Sequence, residues 1–392
     1  MRILVLTHNY PRFDRDPAGG FVRRIALAAA SQGAEVLVLA PHAPGLGLFA
    51  SEGSLRLQRF RYAPEPLERV AYTGDLHRRA AASPLYALGV ALLFAGFLRA
   101  ARAAVREFAP QVVHAHWWLP GGWVAARLGI PFVVTCHGSD VRLLERPLFR
   151  RAARRVFRRA GAVTAVSRFL AEDLQRLVGN ALNVVHPLAM PVDTALFRTG
   201  RLTPKAVPAR VLYAGNLIET KGVDVLIRAF AAVRSRGTPC RLKLLGEGSA
   251  EPSLRALARE LGVSDPEWSP FVKQDQMPAE YGAATVTVLP SRGKAEGLGL
   301  ALVEALLAGS AVIGTMAGGI PEVIRNGETG LLVPDGDVEG LATALERMLT
   351  DPAFCGRTIA AGQAYVEERF APDRAVAPFL ALYAELAGDR AS

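Results

Sequence analysis

Two glutamates eight residues apart, Glu296 and Glu304, flank the turn Gly297-Leu298-Gly299 within the stretch PSRGKAEGLGLALVEALLAG, residues 290–309. Leu300 opens an apolar run that reads as a helix, and the Val-rich residues 284–290 before it read as a strand. A loop joining such a strand to such a helix presents the backbone N–H groups of a helix N-terminus, where the macrodipole favours an anion such as a phosphate. Gly297 and Gly299 let that anion come close to the backbone. Carboxylates repel a phosphate, so Glu296 and Glu304 are better suited to accepting hydrogen bonds from sugar hydroxyls on either side of it. A phosphate between two sugars describes a sugar nucleotide. Taken alone, the stretch is read equally well as a solvated loop glutamate followed by a helix-face glutamate.

Other elements must hold this loop in place. The chain has 392 residues, too many for one ordinary core and enough for two domains. Residues 2–8, 35–41, 111–116, 131–137 and 162–167 are short, apolar and unalternating, the mark of strands buried on both faces of a parallel sheet. The apolar signal lapses over Leu202–Pro208 and restarts at 210–216, 241–248, 284–291 and 310–315. The expectation is an α/β protein with two doubly wound, Rossmann-like domains facing each other across a cleft. An acceptor domain is placed at 1–200 and a donor domain at 201–370. A helix in 371–392 is expected to pack back toward the first domain. The glycine fingerprint of dinucleotide enzymes is absent after the first strand, and GEGSAE (246–251) has only its first two glycines. No P-loop sequence occurs.

Charge is divided unevenly. Residues 1–200 carry a net +13, all of the positive charge from arginine, whereas 201–392 carry a net −3. Much of this basic excess lies in RPLFRRAARRVFRRAGA, where Arg150, Arg151, Arg154, Arg155, Arg158 and Arg159 alternate at helical spacing with apolar residues. A solvated face and attachment to an anionic bilayer both fit this helix; no nucleic-acid reader motif accompanies it. The apolar segment from Ser83 stops at Arg99, short of the roughly 20 residues that span a bilayer, and is expected to be a buried helix. MRILVLTHNYP is too short for a signal-peptide core and reads as a first strand. Cys136, Cys240 and Cys355 are too few and too far apart for a disulfide framework or a zinc site, and fit a reducing cytosol.

Three neighbouring stretches turn the opening pattern into a resemblance. They are YAGNLIETKGVDVLIRAF (213–230), the second glycine turn in GTMAGGIPEVIRNGETGLLVPDGD (314–337), and, in the first half, DPAGGFVRRIALAAASQGAEVLVLAP with HAHWWLPGGWVAARLGIPFVVTCHGSDV. Over essentially the whole chain the sequence resembles the retaining, nucleotide-sugar-dependent glycosyltransferases of family four, which have the GT-B fold and a Glu-x7-Glu pair. The resemblance implies that Glu296 contacts the transferred sugar and Glu304 the nucleotide ribose. Gly299 and Leu300 would lie beside the diphosphate, Gly297 and Leu298 would belong to the same donor-binding loop with Gly215 and Asn216, and Lys221 would neutralise the leaving phosphates. Gly19 and Gly20 match the glycine turn of the first domain that lets the diphosphate approach. His137, in CHGSD, matches a histidine near the reacting sugar and is expected to be catalytic with Lys221 and Glu296; a core histidine at a strand end is the alternative. Where the family has arginine after Gly215, this chain has Asn216, so half of a cationic clamp is missing. Arg24 and Arg292 are the candidates to replace it.

Asp14-Arg15-Asp16 and Asp335-Gly336-Asp337 imitate a metal-binding triplet, but such triplets are common and a lysine with a helix N-terminus can neutralise a diphosphate; no metal site and no cofactor are expected. His114 and His116 are read as lying on opposite sides of a strand, and His116 with Trp117 and Trp118 as lining the acceptor side or packing in the core. The resulting expectation is a cytoplasmic retaining transferase that uses a nucleotide-sugar. Its acceptor would be a carbohydrate or a lipid-linked one, in cell-surface polysaccharide, glycolipid or glycoconjugate synthesis. The basic half would contact the inner face of an anionic membrane, with no nucleic acid partner. A nucleotide-sugar or glycan sensor and a sugar-nucleotide epimerase are the alternatives on the same fold.

Overall fold

The computed structural model describes residues 1–13, 16, 18–68, 70–72, 83–182, 184–263 and 266–388. Asp14 and Arg15 of the acidic triplet lie outside them. The chain forms two compact units, Met1–Pro191 with Pro372–Ser392, and Val192–Ala371. The boundary thus falls after Pro191 and not near residue 200. The loss of apolar signal over Leu202–Pro208 marks the exposed approach to a strand inside the second unit, because solvation thins apolar content at a loop as readily as at a domain crossing.

In the first unit the strands are β1 (Arg2–Leu6), β2 (Glu35–Pro41), β3 (Phe49–Glu52), β4 (Leu55–Phe60), β5 (Val112–His116), β6 (Phe132–Cys136), β7 (Ala162–Ala165) and β8 (Val185–Pro187). They form one sheet in the order β3-β4-β2-β1-β5-β6-β7-β8, parallel throughout except for β3 against β4. In β5, β6 and β7 every residue is buried, which is why these strands show no alternation. The second unit has β9 (Ala209–Ala214), β10 (Cys240–Leu245), β11 (Glu267–Ser269), β12 (Val286–Leu289), β13 (Ala311–Thr315) and β14 (Leu331–Val333). Its sheet runs β11-β10-β9-β12-β13-β14, all parallel. Strand order reverses beside β1 in one sheet and beside β9 in the other, the point where doubly wound sheets bind ligands.

The helix Pro84–Phe108 corrects an expectation. Its second half is core, with Leu93, Phe97, Ala101, Ala104 and Phe108 buried. Its first three turns are not: Leu85, Leu88 and Leu92 are 73%, 56% and 39% exposed. The apolar run was long enough to read as buried all round, but only one side of the first half meets the protein.

The C-terminal helix Pro372–Gly388 belongs to the first unit and buries Ala375, Val376, Phe379 and Tyr383. Its Tyr383 hydroxyl donates to His114 Nδ1 at 2.6 Å. His114 Nε2 in turn donates to Thr135 Oγ1 at 2.7 Å, and Thr135 Oγ1 lies 2.6 Å from Thr164 Oγ1. Burial raises the Tyr383 pKa and lowers that of His114, so a neutral phenol donates to a neutral imidazole. This chain of hydrogen bonds ties the last helix across β5, β6 and β7.

Replacing Tyr383 by Phe leaves a buried imidazole nitrogen without its donor. The first unit should lose about 1–3 kcal/mol of stability in urea denaturation followed by tryptophan fluorescence. Three of the four tryptophans, Trp117, Trp118 and Trp123, report on that unit. A variant as stable as the parent would show that the helix is held by its apolar face alone.

Candidate functional site

Three loops of the second unit meet at the carboxyl ends of β9, β12 and β13. The first ends in the short turn Glu219–Lys221, and Gly222 then caps the helix Val223–Ser235. The second carries Ser291 to Leu298 into the helix Leu300–Leu307, capped by Gly299 with φ 89°. The third holds Gly318-Gly319 directly against the second: a Cβ on Gly318 would lie 2.1 Å from the Glu296 carbonyl oxygen, and one on Gly319 2.3 Å from that of Gly297. Only glycine permits this backbone-on-backbone seating, which a hydrogen bond from Gly319 N–H to the Glu296 carbonyl at 3.1 Å completes.

Within this frame the Lys221 ammonium pairs directly with Glu296 Oε1. Ser291 Oγ donates to the same oxygen at 3.0 Å. Lys221 and Glu296 are nearly covered, their side chains 17% and 12% exposed, so the charge pair is shielded from solvent screening. Thr315 Oγ1, from the end of β13, holds the Ser291 carbonyl at 2.5 Å. Glu304 stands in the second turn of its helix and accepts from the Tyr281 hydroxyl at 3.3 Å. Burial and then the nearby Glu304 raise the Tyr281 pKa far above the phenol value, so it stays a donor. Tyr213 does the same for the Asn216 carbonyl at 2.8 Å, its pKa raised by burial and then by Glu296. The Asn216 side chain is exposed. Gly215 continues the β9 ladder, its N–H on the Leu245 carbonyl at 3.0 Å. Leu298 is buried under the loop, and Leu300 opens the helix. Arg292 pairs with Asp224 at 2.7 Å and donates to the Glu219 carbonyl at 3.3 Å.

In the first unit, Gly19 has φ 68° and caps the helix Gly20–Ser31. A Cβ there would fall 2.1 Å from the Asn9 carbonyl oxygen, so the turn after β1 can close only on glycine. Arg24, one turn along, donates from Nε to the Pro191 carbonyl at 2.8 Å, and its Nη1 lies 3.5 Å from where a Gly20 Cβ would be. The residue that the sequence left as an alternative to Arg292 therefore has its guanidinium beside the glycine turn.

His137 follows β6. Its position is fixed by Asp140, whose Oδ1 accepts from the His137 and Gly138 N–H groups at 2.9 and 3.1 Å, while Oδ2 accepts from Trp118 N–H at 3.2 Å. Phe21 and Trp117 pack on the His137 ring with centroids 4.7 and 4.6 Å away. His137 Nε2 is 3.0 Å from His116 Nδ1. Sequence reading placed His114 and His116 on opposite sides of β5. They lie on one face, as the two-residue period of a strand requires, with centroids 4.2 Å apart. Trp118 is fully buried, its indole N–H on the Asp140 carbonyl at 2.8 Å, so it is core and not a lining residue. Trp117 is buried with φ 62°, a left-handed conformation held by its indole bond to Ser139 Oγ at 3.2 Å. His8 Nδ1, Asn9 Oδ1 and His116 Nε2 are buried without a hydrogen-bond partner among the described residues.

The sequence left several of these residues unnamed: Ser291, Tyr281, Tyr213 and Asp140. Asp140 had a local signal, since an aspartate three residues after the histidine in CHGSD can accept two consecutive N–H groups. The two tyrosines had none, because their reach depends on packing between elements distant in sequence.

Comparison with known proteins bears on both units. The family model Glycosyltransferase Family 4 matches residues 18–196, and the model Glycosyl transferases group 1 matches residues 208–351. The chain is 33% identical over 310 residues to the D-inositol 3-phosphate glycosyltransferase of Acidothermus cellulolyticus, covering 71% of this chain and 68% of that one. Among solved structures it is similar to the sucrose-phosphate synthase of Thermosynechococcus elongatus, with TM-score 0.81, 22% identity and 99% of each chain covered. It is also similar to HepE of Anabaena in complex with UDP-glucose, with TM-score 0.68, 18% identity and 100% and 99% covered.

The buried histidines make stability depend on pH. Burial lowers His8 to about 4 and His114 to about 3, and holds His116 and His137 well below the ordinary value. The unfolded chain takes up these protons near pH 6.5, the folded chain only at lower pH. As pH falls below about 6.5 the unfolded state binds more protons, and stability is lost. The melting temperature should therefore decline between about pH 6.5 and 4 in a series of circular-dichroism melts. A His116→Asn/His137→Asn double variant should flatten that decline. A parent curve flat across this range would mean that the rings are not held neutral.

Proposed function

Because the chain belongs to glycosyltransferase family 4 and has the GT-B fold, we propose that it moves a sugar from a nucleotide-sugar to an acceptor hydroxyl with retention of anomeric configuration. The observation that carries this reading is the Lys221 ammonium on Glu296, beside the N-terminus of the helix Leu300–Leu307. In the free protein the lysine is neutralised by the carboxylate. A bound diphosphate competes for Lys221 and takes the N–H groups that follow Gly299, which lie at the positive end of the helix. Glu296, still held by Ser291, then turns acceptor for a hydroxyl of the transferred sugar. Glu304, oriented by Tyr281, is the acceptor for the ribose diol.

In the first unit the reading takes the Gly19-Gly20 turn, with the Arg24 guanidinium beside it, as an anion-binding turn. His137 is neutral, and with Nε2 committed to His116 it has Nδ1 left for a sugar hydroxyl. In the front-face route, the bond from the anomeric carbon to the diphosphate oxygen breaks while the acceptor oxygen bonds to the same face. The acceptor proton passes to the departing diphosphate. Lys221 and the helix N-terminus stabilise the charge that develops on that leaving group, so the reaction calls for no metal ion. The acceptors we favour are carbohydrates or lipid-linked sugars of cell-surface polysaccharide or glycolipid synthesis, met at the cytoplasmic face of the membrane.

The test is a thermal-shift series with UDP-, GDP- and ADP-sugars, with and without EDTA, followed by turnover of the nucleotide that binds. A ligand at about a hundredfold excess over its Kd should stabilise by ~2.7 kcal/mol, unchanged by EDTA. Lys221→Ala should lower kcat by about 10²–10³. Absence of a shift with every nucleotide-sugar, or full turnover in Lys221→Ala, would overturn the reading.

A further inference from the structure

One face of the helix Pro84–Phe108 has no place in the site described above. Residues 85, 88, 92, 95, 99, 102 and 106 recur at helical spacing along a single stripe, and all seven are exposed. The stripe is divided by type: Leu85, Leu88, Leu92 and Ala95 in the first half, Arg99, Arg102 and Arg106 in the second. An exposed leucine by itself is ordinary; three on one ridge, continued by three arginines, are not.

Another side of the same helix meets the basic surface. Phe94, from the same helix, meets the Trp123 ring edge-on at 5.3 Å. The Arg127 guanidinium lies over the Trp123 ring, 3.6 Å from its centroid. Arg159, just past the end of the helix Pro147–Phe157, donates to the Ala126 carbonyl at 3.3 Å. Arg127 and Arg159 are close enough that Arg159, after burial, holds the Arg127 pKa down. Arg151, Arg154, Arg155 and Arg158 extend the positive charge along that helix, all exposed, with Leu148 exposed at its start. On or beside these two helices the acidic residues are Glu107 and Glu145, fewer than the arginines named. The ion pairs formed in this unit by Asp16, Glu35, Glu52, Glu65, Glu68 and Asp173 engage other partners.

We infer that this face seats the protein on an anionic bilayer, the Leu85–Leu88–Leu92 ridge entering the acyl boundary and the arginines of both helices resting on the headgroups. Apolar residues on one side of a helix with Arg beside them are what an interfacial helix needs. Spanning is excluded, since the second half of the helix lies in the core of the first unit. The charge selects a lipid surface with phosphate headgroups over a second copy of this chain, because two copies would bring the same arginines together. The inference sharpens the membrane contact expected from the basic half of the sequence and gives it an apolar anchor; it does not depend on which nucleotide-sugar is used, or on turnover.

Sedimentation with vesicles tests it, using the full chain and either phosphatidylcholine alone or phosphatidylcholine with phosphatidylglycerol. The protein should pellet with the anionic vesicles only. Leu85→Gln/Leu88→Gln/Leu92→Gln should weaken that binding about tenfold or more, with its nucleotide response unchanged because the ridge lies on a helix of the first unit apart from the loops after β9, β12 and β13. Arg151→Ser/Arg155→Ser/Arg158→Ser should bind more weakly and lose most of the dependence on salt. The inference is overturned if the parent stays in the supernatant with anionic vesicles, or if the leucine variant binds as the parent does. It is equally overturned if the parent is a dimer in sedimentation equilibrium that the leucine variant dissolves.

Discussion

The candidate site depends on backbone pressed against backbone. Gly318-Gly319 sits on the carbonyls of Glu296 and Gly297, and Gly222 would place a Cβ 2.0 Å from the Pro290 carbonyl. No side chain fits at either place, and without such approaches the loops after β9, β12 and β13 would stand apart. The Lys221–Glu296 pair, the Ser291 hydroxyl and the capped helix Leu300–Leu307 are consequences of that convergence. A lysine and a glutamate 75 residues apart in sequence become a shielded ion pair because three turns are bare.

Much of this was legible in the sequence because the informative signals are local. Buried parallel strands leave continuous apolar runs, and β1, β2, β5, β6 and β7 were each found within two residues of their ends. The Glu296–Glu304 spacing around a glycine turn carries its own geometry. What escaped notice was set by context. β3 and β4 lie at the sheet edge, β3 exposed along its whole length, so neither resembles a buried strand. β8, β11 and β14 have three residues each, too few for any period. The boundary after Pro191 leaves no mark in composition. The exposed turns of Pro84–Phe108 were misread because apolar content reports what a segment can bury, not which neighbour is there to cover it. The histidine error was of another kind, a strand period misapplied, and the 4.2 Å ring separation exposes it.

The two units use polar groups differently. In the second, the Tyr281 hydroxyl and a serine orient two carboxylates. In the first, burial removes charge from four histidines and an aspartate fastens the loop that carries His137. One arrangement suits recognition of an anion and its sugars, the other a neutral hydrogen-bonding wall.

The return of the chain to its first unit has a consequence for biogenesis. Val192–Ala371 is one continuous segment and has every strand of its own sheet as soon as it leaves the ribosome. The first unit, although synthesised earlier, keeps His114 and the surface under Phe379 and Tyr383 uncovered until residues 372–388 emerge. Domains usually mature in the order of their synthesis. Here the amino-terminal sheet, complete in its strands by Pro187, keeps one part of its surface uncovered until the second unit has been made, and that interval is when a chaperone has something to hold.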